Sequence, residues 1–144
     1  MINKSVLEQQ KFKSYEIPDG EADVTELREY IRDMVIEKSN LYRADKKGKI
    51  TDCNFVQKYC SIPEDIYKNT INGNCKLSRN FIAKFAVGLK LGIDEANFLF
   101  ALHSDELKMT NAFDFIVYHA LADEDDVEPF IEDVQKYLKI NLNK

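Results

Sequence analysis

The stretch "KFAVGLKLGIDEANFLF", Lys84 to Phe100, limits the fold more than any other part of the chain. Ile82, Phe85, Ala86 and Leu89 keep the i, i+3, i+4, i+7 spacing of one helix face, with Phe81 beside them. Gly92 stands where a helix commonly ends in left-handed backbone. Asp94 then stands at the cap of a second helix, and Ile93 with Phe98 fits the two positions of a hydrophobic staple. Two buried helices joined this tightly leave no room for a strand between them. The spacing therefore predicts a helical framework.

The rest of the chain follows the same period. Residues 1–22 are polar with a "PDG" turn signal, and read as an arm. From Asp23, a capping residue with Glu26 three positions on, the stripe Val24, Leu27, Ile31, Met34 and Val35 predicts a helix to about Lys38. "LYRADKKGKI" reads as a basic loop stopped by Gly48. Thr51 caps a second helix with Phe55, Val56 and Tyr59 inward. Pro63 opens a third, since proline suits a first helical turn, and Glu64 and Asp65 follow where the helix dipole favours acids. "NGN" at Asn72–Asn74 is a turn, and Ser78 starts the fourth helix. Thr110 is expected to cap a helix with the stripe Phe113, Ile116, Val117, Ala120 and Leu121. Phe130, Ile131, Val134, Tyr137 and Leu138 define the last, with Pro129 in its first turn. No alternating strand pattern and no fixed-period repeat occurs. The expected fold is all-α, six to seven helices in a compact domain. Its expected parts are an arm (1–22), a helical core (23–110) and a C-terminal helical pair packed on that core (111–144).

Composition narrows the function classes. Hydrophobic residues make up 44% of the chain, with nine Phe and seven Tyr replacing the missing Trp, so a full core is available. No run of 18 apolar residues exists, and the N-terminus is too polar for a signal peptide, so a cytoplasmic protein without a membrane partner is expected. Three Cys (Cys53, Cys60, Cys75) with no CxxC read as buried or half-buried free thiols. His103 and His119 lack a second ligand at metal spacing, so no metal or cofactor is expected. Asp114, His119 and Asp123 lie together on one helix without a nucleophile and read as a local ion pair. No phosphate-binding glycine loop or nucleophile elbow occurs, so an enzyme is the least supported class. The net charge of −5 resides in residues 111–144, which hold three Lys and eight acids; the remainder is balanced. "DEDDVEPFIED" lacks the glycine and ligand order of a calcium loop and reads as a solvated acidic loop.

Three consecutive pieces, "ITDCNFVQKYC", "IPEDIYKNTING" and "LSRNFIAKFAVGLKLGIDEANFLF", resemble the helix-turn-helix of the Xre/lambda-repressor-like family over about a third of the chain. With "SDELKMTNAFDFIVYHAL" the chain resembles a variant of that fold with extra C-terminal helices, found in bacterial proteins and sometimes attached to enzyme domains. The resemblance implies a non-catalytic, sequence-specific transcriptional regulator, working on double-stranded DNA as a homodimer. It implies that Pro63 to Ile71 is the recognition helix. Cys60 stands in the turn where glycine is common in the family.

On that reading Lys68, Asn69 and Asn72 are the candidate base readers. Lys76, Ser78 and Arg79 at the start of the next helix, and Lys46 and Lys47 in the basic loop, are the candidate phosphate contacts. Glu64 and Asp65 depart from the DNA-reading pattern, because carboxylates repel phosphates. They support an alternative: a protein-binding adaptor or inhibitor, for example in phage–host conflict, that uses the scaffold without DNA. Its surface would include Glu64, Asp65, Phe115 and Tyr118.

Overall fold

The computed structural model describes residues 24–46 and 49–143. The expected arm, the cap at Asp23, Lys47 and the side chain of Lys46 lie outside the described residues. The fold is all-α, as expected, with seven helices among the described residues: α1 (Thr25–Lys46), α2 (Asp52–Cys60), α3 (Glu64–Ile71), α4 (Arg79–Gly88), α5 (Ile93–His103), α6 (Ala112–Ala122) and α7 (Val127–Leu138). No described helix is long and apolar enough to cross a membrane.

Helix α4 is the axis of the molecule. It packs against α2, α5, α6 and α7. Every residue from Phe81 to Gly88 is buried, so this helix is covered all round rather than along one stripe. Phe85, Phe100, Phe130, Leu27, Ile31 and Ile82 are the bulk of a single core. Helices α1, α2 and α3 form one layer over it, and α6 with α7 a second. Closest approach occurs at Gly88. A Cβ there would lie 2.4 Å from the Tyr59 carbonyl oxygen and 2.6 Å from the Cys60 Cα, so the end of α2 rests on the backbone of α4.

Several helix ends differ from the sequence expectation. Helix α1 runs two turns past Lys38, through part of the expected basic loop. Arg43 on that extension donates to the Ile50 carbonyl (2.7 Å), to Asp52 Oδ1 (3.4 Å), to Ser39 Oγ (3.2 Å) and to Asn40 Oδ1. These bonds fasten α1 to the start of α2. Gly92 is not the left-handed residue that ends α4. Lys90 is, at φ 54°, with its N–H on the Val87 carbonyl and the Leu91 N–H on the Ala86 carbonyl, the paired bonds of a Schellman end. Gly92 instead caps α5, which starts one residue before Asp94. The staple positions shift with it, to buried Leu91 and Ala96, while Phe98 is 44% exposed and lies against Tyr30, ring centroids 5.1 Å apart. The α6 cap is Asn111 rather than Thr110, its Oδ1 accepting from the Asp114 N–H at 3.0 Å.

Candidate nucleic-acid interface

The α2–α3 pair is built from the residues that mark it in the sequence. Thr51 Oγ1 accepts from the Asn54 N–H at 3.1 Å and starts α2. Phe55, Val56 and Cys60 face the core, and burial pushes the Cys60 thiol pKa well above its ordinary value. The chain then turns in three residues. Ser61 takes the left-handed conformation (φ 54°, ψ 36°), its N–H on the Gln57 carbonyl; Cys60 remains helical. Ile62 is buried, and Pro63 (φ −58°) sets the entry to α3. Tyr67 and Thr70 turn inward and anchor that helix. Glu64, Asp65, Ile66 and Lys68 are exposed on it.

The expected base readers lie together on and just beyond α3. Lys68 Nζ reaches Glu64 Oε1 at 2.9 Å, an exposed i,i+4 pair, and that hydrogen bond raises the Lys68 pKa. Such pairs are weak and open readily. Asn69 is half-buried, and its carbonyl accepts from the N–H groups of Asn74 (2.8 Å) and Cys75 (2.9 Å). Asn72 is exposed and follows the last turn, ahead of left-handed Gly73 at φ 83°. Neither asparagine side-chain amide makes a hydrogen bond among the described residues.

The expected phosphate contacts separate. Lys76 is exposed, on the same side-chain-rich loop as Asn74 and Cys75. Ser78 is the cap of α4, its Oγ taken by the Phe81 N–H at 3.1 Å. Arg79 is corrected: it is 3% exposed and belongs to the core. Its Nη2 donates to both Asp114 oxygens, at 2.9 and 3.0 Å, and its Nη1 to Ser104 Oγ (3.1 Å) and the Asp105 carbonyl (2.7 Å). The guanidinium lies 4.7 Å from the Phe100 ring centre. A guanidinium this enclosed cannot reach a phosphate on a duplex. The Asp114–His119–Asp123 grouping dissolves for the same reason, since Asp114 serves Arg79. His119 instead contacts the Phe115 ring at 4.5 Å.

The alternative protein-binding surface is not one surface. Phe115 is 6% exposed, so its aromatic-patch role is corrected; Tyr118 is half-buried. Helix α6, which carries both, packs on α4, α5 and α7, whereas Glu64 and Asp65 stand on α3, which packs on α1 and α2. All three cysteines are free thiols, and no cluster of metal-ligating side chains occurs among the described residues.

Sequence reasoning missed two arginines. Arg28 Nε donates to the Thr70 carbonyl at 3.0 Å, capping the C-terminal turn of α3, where the helix dipole favours a cation. Arg32 stands one turn further along α1. Burial pushes the Tyr67 phenol up, and the charges of Asp52 and Cys53 add to that, while the Arg32 charge works against it. Arg28, Arg32, Asn72 and Gly73 share an open cleft of about 210 Å³, together with Thr25, Glu29 and Ile71. Their i,i+4 spacing on α1 was the available signal. Comparison of the chain with family models, curated proteins and solved structures finds no match.

Proposed function

We propose that the protein is a helix-turn-helix DNA reader, a non-catalytic regulator that lays α3 in the major groove. The observation that carries this reading is the outer edge of α3. It is short and, Ile66 apart, polar, held from behind by Tyr67 and Thr70, and it carries half-buried Asn69 with exposed Asn72 just beyond, whose side-chain amides make no hydrogen bond among the described residues. Asparagine amides match the adenine edge bidentately, and a lysine matches guanine. Lys68 reaches a base by releasing Glu64. Arg28 and Arg32 bring positive charge to the cleft that Asn72 lines, which supports the reading against the chain's acidic balance. A homodimer reading paired half-sites suits a helix of eight residues, because one such helix spans few base pairs.

The test is selection of duplexes from a random library, repeated with Lys68→Ala and Asn69→Ala. A DNA reader enriches a defined sequence, and each variant relaxes preference at its own position. If no duplex is enriched at low salt, the reading fails. One observation favours the adaptor alternative: Ile66, beside Glu64 and Asp65, is 43% exposed. An apolar side chain flanked by two carboxylates suits a basic protein partner. That alternative expects no enrichment of DNA, and it expects Ile66→Glu to abolish capture of the partner.

A further inference from the structure

The cleft between α1 and the C-terminal end of α3 has the makings of an anion site. Arg28 is held in place by its Nε–H on the Thr70 carbonyl, at 3.0 Å. That bond fixes the guanidinium plane and leaves both terminal nitrogens without a partner among the described residues. Arg32 lines the same cleft and has no ion pair there, although Glu29 also lines it. Asn72, one of the expected base readers, lines it too. Two guanidinium forks at i,i+4 spacing converge on one opening, a spacing that brings side chains to the same stretch of helix surface. Guanidinium presents paired donors that fit two phosphate oxygens, and it is less strongly hydrated than ammonium, so it gives up water at lower cost.

We propose that Arg28 and Arg32 form a clamp on a DNA backbone phosphate that sets the register of α3 in the groove. This rests on the DNA-reading assignment of α3. The pre-anchored Arg28 supplies geometry. The exposed Arg32 supplies the second fork and closes the cleft over the phosphate. Contacts of this kind position the protein without reading sequence, so their loss weakens all duplexes alike.

The test uses the full chain and a fluorescein-labelled duplex of mixed sequence, followed by anisotropy over a range of salt. Arg32→Gln is the main variant because its side chain is exposed. Arg28→Lys is the second, since it keeps the charge while losing the fork, and thermal unfolding checks that both fold. The expected result is a salt slope shallower by about 1 for Arg32→Gln. Between 50 and 200 mM salt the gap to the unaltered protein then narrows about three- to fourfold. Sequence preference is unchanged. If the unaltered protein binds duplex and Arg32→Gln keeps its slope, the clamp is overturned while the DNA reading stands. If the unaltered protein binds no duplex, both fall. A parallel titration with inorganic phosphate follows the arginine Nε–H signals. Movement of Arg28 and Arg32 there, with duplex binding indifferent to Arg32→Gln, identifies a free-phosphate pocket and also overturns the clamp.

Discussion

Arg79 and Asp114 fasten the buried helix α4 to α6. The pair is buried, bidentate and supported by Ser104, the Asp105 carbonyl and the Lys108 N–H, which donates to Asp114 Oδ2 at 3.0 Å. Removing one partner from such a pair leaves a desolvated charge, so Asp114→Asn is expected to cost about 3–5 kcal/mol, read as a lower urea midpoint. Replacing both, as Arg79→Met with Asp114→Leu, recovers most of that loss. Next to it, His103 Nε2 donates to the Leu77 carbonyl at 3.0 Å, leaving Nδ1 to accept from Ser104 Oγ at 2.9 Å. Burial lowers the His103 pKa from its ordinary value, the Leu77 bond opposes that, and the Arg79 and Lys76 charges add to it. A lowered histidine is neutral in the fold, so its contribution is present above about pH 6.5 and is lost as pH falls through the depressed folded value. Stability should therefore decline on acidification from pH 7.5 through 6, and His103→Gln should flatten the decline. Asp133, raised mainly by burial, acts in the opposite sense at lower pH, where protonation favours the fold. Arg79 also shows the limit of residue-level reading: a helix-start arginine looks the same in sequence whether it meets a phosphate or an aspartate 35 positions away.

Helix ends were legible where a side chain makes the cap locally, as at Thr51 and Ser78, or where a glycine takes left-handed backbone, as at Gly73, and illegible where neither local signal marks the end. Lys90 and Glu124 both adopt left-handed backbone at Schellman ends, at φ 54° and 53°. The two ends are tied together: Lys90 Nζ donates to the Glu124 carbonyl at 2.7 Å and to Asp126 Oδ1 at 2.9 Å. That latch, from 34 residues away, holds a lysine where the sequence points to the glycine two positions later. Glu124 contributes only its backbone, so Glu124→Gly relieves the left-handed cost and is expected to stabilise by about 1 kcal/mol in urea unfolding. Gly88 was missed because its need is steric, not conformational. Gly88→Ala drives a Cβ into the backbone of Tyr59 and Cys60 and is expected to cost at least about 1–3 kcal/mol. Gly92→Ala, with nothing within 4 Å, should change stability by less than about 1 kcal/mol.

At the scale of the whole molecule, the helical class and the α2–turn–α3 unit follow from periodicity and caps along the chain. The surface that α3 presents does not, because it is assembled from α1, α3 and the loop to α4. Lys68, Asn69 and Asn72 fall together by helical spacing, whereas Arg28 and Arg32 join them only through the packing of α1 on α3. Arg79 leaves the surface and Phe115 enters the core through a different contact, the packing of α6 on α4 and its neighbours. The proposed DNA reading therefore rests on one face, α3 with the α1 arginines. Amide NMR titration with the best duplex from selection addresses it directly. The largest shifts are expected on residues 64–76, with Arg28 and Arg32 beside them, fading as salt is raised. Shifts centred on α6 and α7, or none at low salt, would contradict it.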